Sequence, residues 1–217
     1  MIPAGDSFHV KICGLTRPID AERAVDSGAD LLGLNFVPTS SRCIDIACAQ
    51  TIAHVVNGRA RLVGVFVDES LERILQVAAD VPLDLVQLHG HESPEFVSAV
   101  GPRAFKAVAI GSAEDVEFAK TYPGNLLLVD ARVAGQHGGT GVRIDPRLVA
   151  PLARERSVIL AGGLRPENVA EAVRQVRPRG VDVASGVESA PGIKDERMMQ
   201  EFVQEARRAA REVLNQE

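Results

Sequence analysis

Cysteine is scarce in this chain of 217 residues: there are three, Cys13, Cys43 and Cys48. An odd number with no repeating interval is no disulfide framework. No Cys-x-x-Cys pair and no Cys/His pair stands at zinc-site spacing, so no metal is expected. Long apolar runs are missing too. None approaches the ~18 residues that a membrane-spanning helix needs, so no membrane partner is expected. The first residues, Met1 to Asp6, lack a basic stretch followed by an apolar one, so no secretory signal is expected and the expected compartment is the cytoplasm. An excess of cations is also lacking. Lys and Arg total 24 against 29 Asp and Glu, a formal charge of −5. A general nucleic-acid binder needs clustered cations, so that class is disfavoured. Local phosphate binding through a few backbone N–H groups stays open. No linker rich in Gly, Ser or Pro and no usable repeat divides the chain, so one domain over residues 1–217 is the simplest organisation.

Apolar residues make up 46% of the chain and charged residues 24%, which suits an ordinary globular protein. The apolar residues fall into eight short runs: His9–Cys13, Leu31–Phe36, Arg61–Phe66, Leu85–His89, Ala104–Ala109, Leu126–Asp130, Val158–Ala161 and Val181–Ala184. They are rich in Val, Leu and Ile, too short for helices, and mostly continuous rather than alternating. Strands of a parallel sheet covered on both faces read this way. Helix signals lie between them. Ser93 before Pro94 and Asp145 before Pro146 each read as an N-cap followed by proline at the first helical position. Ser112 with Asp115 reads as a variant capping box. From about Lys194 to Leu214, Met198, Phe202 and Val203 share a face, as on an amphipathic helix. Eight strand–helix units predict an α/β fold, a (β/α)₈ TIM barrel of parallel strands inside a ring of helices. The competitor, a doubly wound open sheet, usually has fewer strands at this length.

A barrel of this kind carries its active site at the C-terminal ends of the strands. Residues two apart on a strand share a face. On the first strand that rule sends Lys11 and Cys13 inward. The same parity predicts Asn35 inside on the second strand, Gln87 and His89 on the fourth, Lys106 on the fifth, Asp130 on the sixth and Asp182 on the eighth. Buried polar groups are costly unless partnered, so several of them converging on one barrel end suggest a polar ligand. Plainer readings stand beside this one. Cys13 is an acceptable small core residue. Asp130 suits a helix cap. Lys106 and Asp182 suit an internal ion pair. His89 beside Gly90 suits a loop, and Cys43 and Cys48 read as structural.

Glycines add a second line. Gly162 and Gly163 follow the seventh strand, and Ser185 and Gly186 follow the eighth. Barrel loops at these two places often bind a phosphate, because glycine lets backbone N–H groups approach an anion closely. Paired glycines also simply make turns. Gly138 to Gly141 read as a mobile loop able to close over a ligand. Arg42, after the second strand, offers a forked cation suited to a carboxylate.

The tracts Lys11-Ile-Cys-Gly14, Gln87-Leu-His-Gly90, Gly138-Gly-Thr-Gly141, Ala161-Gly-Gly-Leu164 with Pro166-Glu-Asn168, and Asp182 to Glu188 with Pro191 to Asp195 resemble those of the phosphoribosylanthranilate isomerase family. They occur in the family's order across about residues 9 to 200. The resemblance implies an Amadori rearrangement in tryptophan biosynthesis. N-(5-phosphoribosyl)anthranilate would become 1-(2-carboxyphenylamino)-1-deoxyribulose 5-phosphate. It implies Asp130 as general acid, Cys13 as general base, Arg42 on the anthranilate carboxylate, and Gly162, Gly163, Ser185 and Gly186 as the phosphate cradle. Asp182 would contact the opened sugar, and His89 and Gln87 would line the pocket. Only protons move, so no cofactor is expected; the expected partner is a small phosphosugar, in a monomer or homodimer. A thiolate base calls for a Cys13 pKa below the free thiol's, with Lys11 as the cation that lowers it. The chain departs from the family at Val37, Cys43, Val142 and Pro146. A sister isomerase of histidine biosynthesis, or a non-catalytic phosphosugar-binding protein, are the rival readings.

Overall fold

The computed structural model describes residues 8–130 and 145–215. Gly138 to Gly141 and Val142 lie outside the described residues. Eight parallel strands close into one barrel in chain order: β1 (His9–Cys13), β2 (Leu31–Asn35), β3 (Arg61–Phe66), β4 (Leu85–Leu88), β5 (Ala104–Ala109), β6 (Leu126–Asp130), β7 (Ser157–Ala161) and β8 (Gly180–Val183). The ring is sealed where β8 pairs with β1, Asp182 opposite Lys11. Helices follow the strands: α1 (Pro18–Asp26), α2 (Ile46–Val56), α3 (Leu71–Asp80), α4 (Pro94–Val100), α5 (Ala113–Lys120), α6 (Pro146–Glu155), α7 (Pro166–Val176) and α8 (Glu196–Leu214). The expected (β/α)₈ barrel is what forms. The link between β8 and α8 is long. It holds a 3₁₀ turn, Ser185–Val187, and a small antiparallel hairpin of β9 (Glu188–Ala190) and β10 (Ile193–Lys194).

The strand bounds differ from the sequence reading by one residue at several ends. β2 stops before Phe36 and β4 before His89, yet the Phe36 and His89 amides still donate to Val65 and Phe66 carbonyls at 3.0 and 2.8 Å. The ladder thus carries both residues in strand-like register. Helix starts follow the cap signals. Ser93 accepts from the Phe96 amide, Asp145 from the Arg147 amide, and Ser112 and Asp115 form the reciprocal capping box. Such caps satisfy N–H groups that the first helical turn leaves without partners.

Two apolar layers hold the barrel. One lies between sheet and helices, with Val10, Ile12, Leu32, Leu34 and Phe202 buried in it. The other fills the barrel itself with Leu31, Val63, Leu85, Phe105, Leu128 and Ile159. Fully burying one such side chain stabilises by about 1.5–3 kcal/mol. On α8 the buried stripe is Met199, Phe202, Val203, Ala206, Ala209 and Ala210, spaced for one helix face. Met198 sits at its half-buried edge.

One inward assignment is corrected. Phe105 and Ala107 fill the barrel, so Lys106 between them faces the helices. Its stem is buried, and its Nζ turns up to the carbonyls of Gly90 and Ala107 at 2.7 Å each and to Glu92 at 3.3 Å. The ion pair with Asp182 is therefore absent; Asp182 pairs with Lys11 instead. Glu92 also accepts from the Asp68 and Gly90 amides at 2.9 Å each. Together they lash the β4–α4 loop, next to His89, onto the barrel. Glu92→Gln leaves Lys106 buried without its counter-charge. It is expected to cost about 3–5 kcal/mol, read as a lower midpoint in urea unfolding. An unchanged midpoint would show that the carbonyls alone satisfy Lys106.

Candidate active site

Polar side chains gather at the C-terminal end of the barrel. Lys11, wholly buried, donates to Asp182 at 2.9 Å across the β1–β8 seam. Burial opposes the charge on Lys11, but Asp182 and a hydrogen bond to Cys13 outweigh it and push its pKa up. Cys13 follows two residues later on the same face, half-buried at the rim of the barrel. The sulfur has room because residue 33 on the neighbouring strand is glycine: a Cβ there would stand 2.6 Å from Sγ.

The Cys13 thiol does not meet the sequence expectation. Burial pushes its pKa up; Lys11 and Lys194 pull it down, and Asp182 pushes it up again. Desolvation wins, because removing water from a thiolate costs more than the two nearby ammonium groups return. Lys11 does act in the expected direction, but in the unliganded site it does not overcome burial.

Across the mouth, Gln87 Nε2 lies 3.0 Å from His89 Nδ1, and His89 Nε2 lies 3.7 Å from Asp130 Oδ2. An amide N–H on Nδ1 leaves the ring proton on Nε2, facing Asp130. Burial lowers the His89 pKa against the raising pull of Asp130 and Asp182. The imidazole is thus neutral near pH 7 and a donor toward the aspartate. Gln87 Oε1 is buried and has no partner among the described residues, an acceptor suited to a ligand hydroxyl. Asn35 is occupied differently: its side chain bonds Ser40 and the Val37 amide, shaping the loop that leads to Arg42.

The two glycine loops adjoin. Gly162 and Gly163 have φ of 93° and 66°, conformations that favour glycine. Asn168 on α7 reaches back to the Gly163 carbonyl at 3.0 Å and fixes that turn. Gly186, in the 3₁₀ turn beside Ser185, packs so closely that a Cβ would collide with the Leu164 carbonyl. The β7 and β8 loops are therefore in backbone contact, and a phosphate can be held by both.

Arg42 is not an isolated fork. Its Nε and Nη2 donate to Glu188 at 2.7 and 2.6 Å, and Glu188 accepts from Lys194 Nζ at 2.8 Å. Glu188 and Lys194 were assigned no role from the sequence. They lie at residues 188 and 194 of the long β8–α8 link, where no periodicity marks a functional residue. Cys43 is exposed, so it is no core residue, while Cys48 is half-buried with its thiol toward the Thr16 carbonyl at 3.4 Å.

Residues 10–205 match the family model of N-(5'-phosphoribosyl)anthranilate (PRA) isomerase. An N-(5'-phosphoribosyl)anthranilate isomerase of Myxococcus xanthus is 47% identical over 206 residues, which are 93% of this chain and 97% of that protein. The barrel is similar to the crystal structure of phosphoribosyl anthranilate isomerase from Thermotoga maritima, with TM-score 0.85 and 40% identity over 92% of this chain and 98% of the other. It is also similar to a phosphoribosyl anthranilate isomerase crystallised with reduced 1-(o-carboxyphenylamino)-1-deoxyribulose 5-phosphate, with TM-score 0.83 and 39% identity over 92% of this chain and 98% of the other.

Proposed function

The chain belongs to the N-(5'-phosphoribosyl)anthranilate isomerase family, enzymes of tryptophan biosynthesis, and from that premise we propose that it performs the Amadori rearrangement with Cys13 as general base and Asp130 as general acid. Asp130 gives a proton to the furanose ring oxygen, the C1′–O bond breaks, and a protonated Schiff base forms. Cys13 thiolate then takes the C2′ proton, and the electron pair moves to give an enolamine. The enolamine gains a proton at C1′ and loses the C2′ hydroxyl proton, leaving the ketone. Protons move within one substrate and no oxidant or reductant enters, so the reading calls for no cofactor.

The observation that carries this reading is convergence. Cys13 on β1, the pair of His89 just past β4 and Asp130 on β6, and the abutting β7 and β8 glycine loops share one end of one barrel. Gly162, Gly163, Ser185 and Gly186 suit the substrate phosphate, Arg42 suits the aryl carboxylate, and Asp182, held by Lys11, suits a hydroxyl of the opened sugar. His89, neutral, lines the pocket 3.7 Å from Asp130. The whole chain acts as one catalytic domain on a small phosphosugar in the cytoplasm; no described helix is long and apolar enough to cross a membrane.

The test follows loss of anthranilate-type fluorescence. Substrate is generated in place from anthranilate and phosphoribosyl pyrophosphate with a separate transferase. Decay far above the uncatalysed rate is expected from the folded protein, with little turnover of the histidine-pathway analogue. No acceleration, or preference for the other aglycone, would overturn the assignment.

A further inference from the structure

Glu188 is buried, with 4% of its side chain exposed, and its carboxylate is shared between two cations. Lys194 is wholly buried; besides Glu188 it donates to the Ala184 carbonyl at 3.0 Å, and its amide donates to Asp20. Glu188 opens β9, directly after the 3₁₀ turn that holds Ser185 and Gly186, and pairs with Lys194 on β10, where the ladder shifts register between Ile193 and Lys194. The carboxylate is therefore fixed by its backbone as well as by its ion pairs.

A guanidinium has two forked edges, Nε with one Nη and the two Nη groups together. Glu188 takes the Nε edge of Arg42 with two short, charge-assisted bonds. Nη1 donates to nothing among the described residues. The Arg42 side chain is 24% exposed, so part of it reaches the open mouth. A carboxylate beside Arg42 weakens its pull on a second anion, yet Lys194 returns that charge. Arg42, Glu188 and Lys194 together keep a net positive charge. What Glu188 adds is geometry: a long arginine side chain is held in one pose before any ligand arrives, which removes an ordering cost from binding.

We propose that Glu188 is a positioning residue that sets specificity: by gripping the Nε edge of Arg42 it presents the Nη1–Nη2 edge to the carboxylate of the substrate's aromatic group. This rests on the reading of Arg42 as the carboxylate ligand. Glu188 touches no substrate atom itself, and its action is on recognition rather than on proton transfer.

The experiment compares two substrates, N-(5-phosphoribosyl)anthranilate and the N-(5-phosphoribosyl)aniline that lacks the carboxylate, in wild type, Glu188→Gln, Glu188→Asp and Arg42→Met. Product is quantified after separation, and the readout is the ratio of kcat/KM values within one protein sample. That ratio does not depend on how much of a variant folds. Wild type is expected to prefer the carboxylated substrate. Glu188→Gln is expected to reduce the preference by about 10- to 100-fold, by analogy with the loss seen when the outer partner of a metal-ligating side chain is removed. The loss falls on KM for the carboxylated substrate, and aniline turnover changes little. Glu188→Asp, which keeps the charge on a shorter stem, is expected to retain part of the preference. Equal losses on both substrates would make Glu188 merely structural, and an unchanged or increased preference would make it an electrostatic counterweight; either overturns the proposal. A wild-type preference that survives Arg42→Met would instead sink the reading of Arg42.

Discussion

Cys13→Ala is expected to lower kcat by about 10²- to 10⁴-fold, the usual worth of a positioned general base, with KM nearly unchanged. The substitution removes one sulfur from a site whose binding groups lie elsewhere, on the β7 and β8 loops and at Arg42. Residue 33 is glycine, so the alanine has space and no clash is created. Asp130→Asn keeps the shape beside His89 but offers no carboxylic proton, and a loss in the same range is expected. The double variant is expected to be little worse than the poorer single one, because acid and base act in successive steps and the slower step sets the rate, so their effects do not add. Single-turnover fluorescence decay measures all three. A Cys13→Ala enzyme within a few-fold of wild type would discard the thiolate as base while leaving the fold and family untouched. The pH profile gives an independent check. Burial pushes the Cys13 pKa up, so the free enzyme holds mostly thiol near neutrality. Its thiolate fraction, read as the rate of Cys13 alkylation, rises about tenfold per pH unit until the raised pKa is passed, above the free-cysteine value of about 8.5. A basic limb that levels off well below that value would mean that another group is titrating.

The barrel was legible because its strands are apolar on both faces and short, a pattern few other folds produce, and because Ser93–Pro94, Asp145–Pro146 and Ser112 mark helix starts by chemistry that is local. Parity served where one strand face is plainly apolar. Val10 and Ile12 fill the outer layer, and Lys11 and Cys13 turn inward as expected. It failed on β5. There Phe105 and Ala107 alternate with Lys106 and Val108, so both faces look partly apolar and a lone lysine gives no direction. The deciding partner, Glu92, lies on a different loop. Lys11 and Lys106 read alike in sequence; what separates them is which strand or loop brings a carboxylate near, and that is tertiary. The same limit hid Glu188. Its contact with Arg42 spans 146 positions, and only closure of β8 onto β1 brings the two loops together. Charge balance around the sulfur was half legible. The cation Lys11 could be read from its shared face, but the desolvation that outweighs it depends on how tightly the mouth packs.

Lys11→Met is therefore a sharper probe of the site than its distance from the reacting atoms suggests. Two effects are expected. The first is on stability: Asp182 stays behind without its ion-pair partner, which typically costs about 3–5 kcal/mol. The sign with pH follows from Lys11, whose folded pKa is raised above its unfolded value. The contribution of Lys11 is thus fully present below an ordinary lysine pKa of about 10.4 and is lost only as pH rises through the higher folded value. Between pH 6 and 9 the difference in urea midpoint between wild type and variant is expected to stay constant in size. The second effect is on Cys13. Lys11 favours the thiolate by charge and by hydrogen bond, whereas Asp182 disfavours it. Removing the lysine takes away the first influence and leaves Asp182 opposed by Lys194 alone, so the thiol pKa moves further up. Alkylation of Cys13 by iodoacetamide is expected to slow about tenfold at neutral pH for each unit of that rise, and its pH midpoint to move to higher values. Cys43, which is exposed, and Cys48 are replaced by serine beforehand so that one thiol reports. An alkylation profile identical in wild type and Lys11→Met, in samples that unfold cooperatively, would mean that Lys11 braces Asp182 and nothing more; the thiolate would then owe its stabilisation to Lys194 and to the substrate itself.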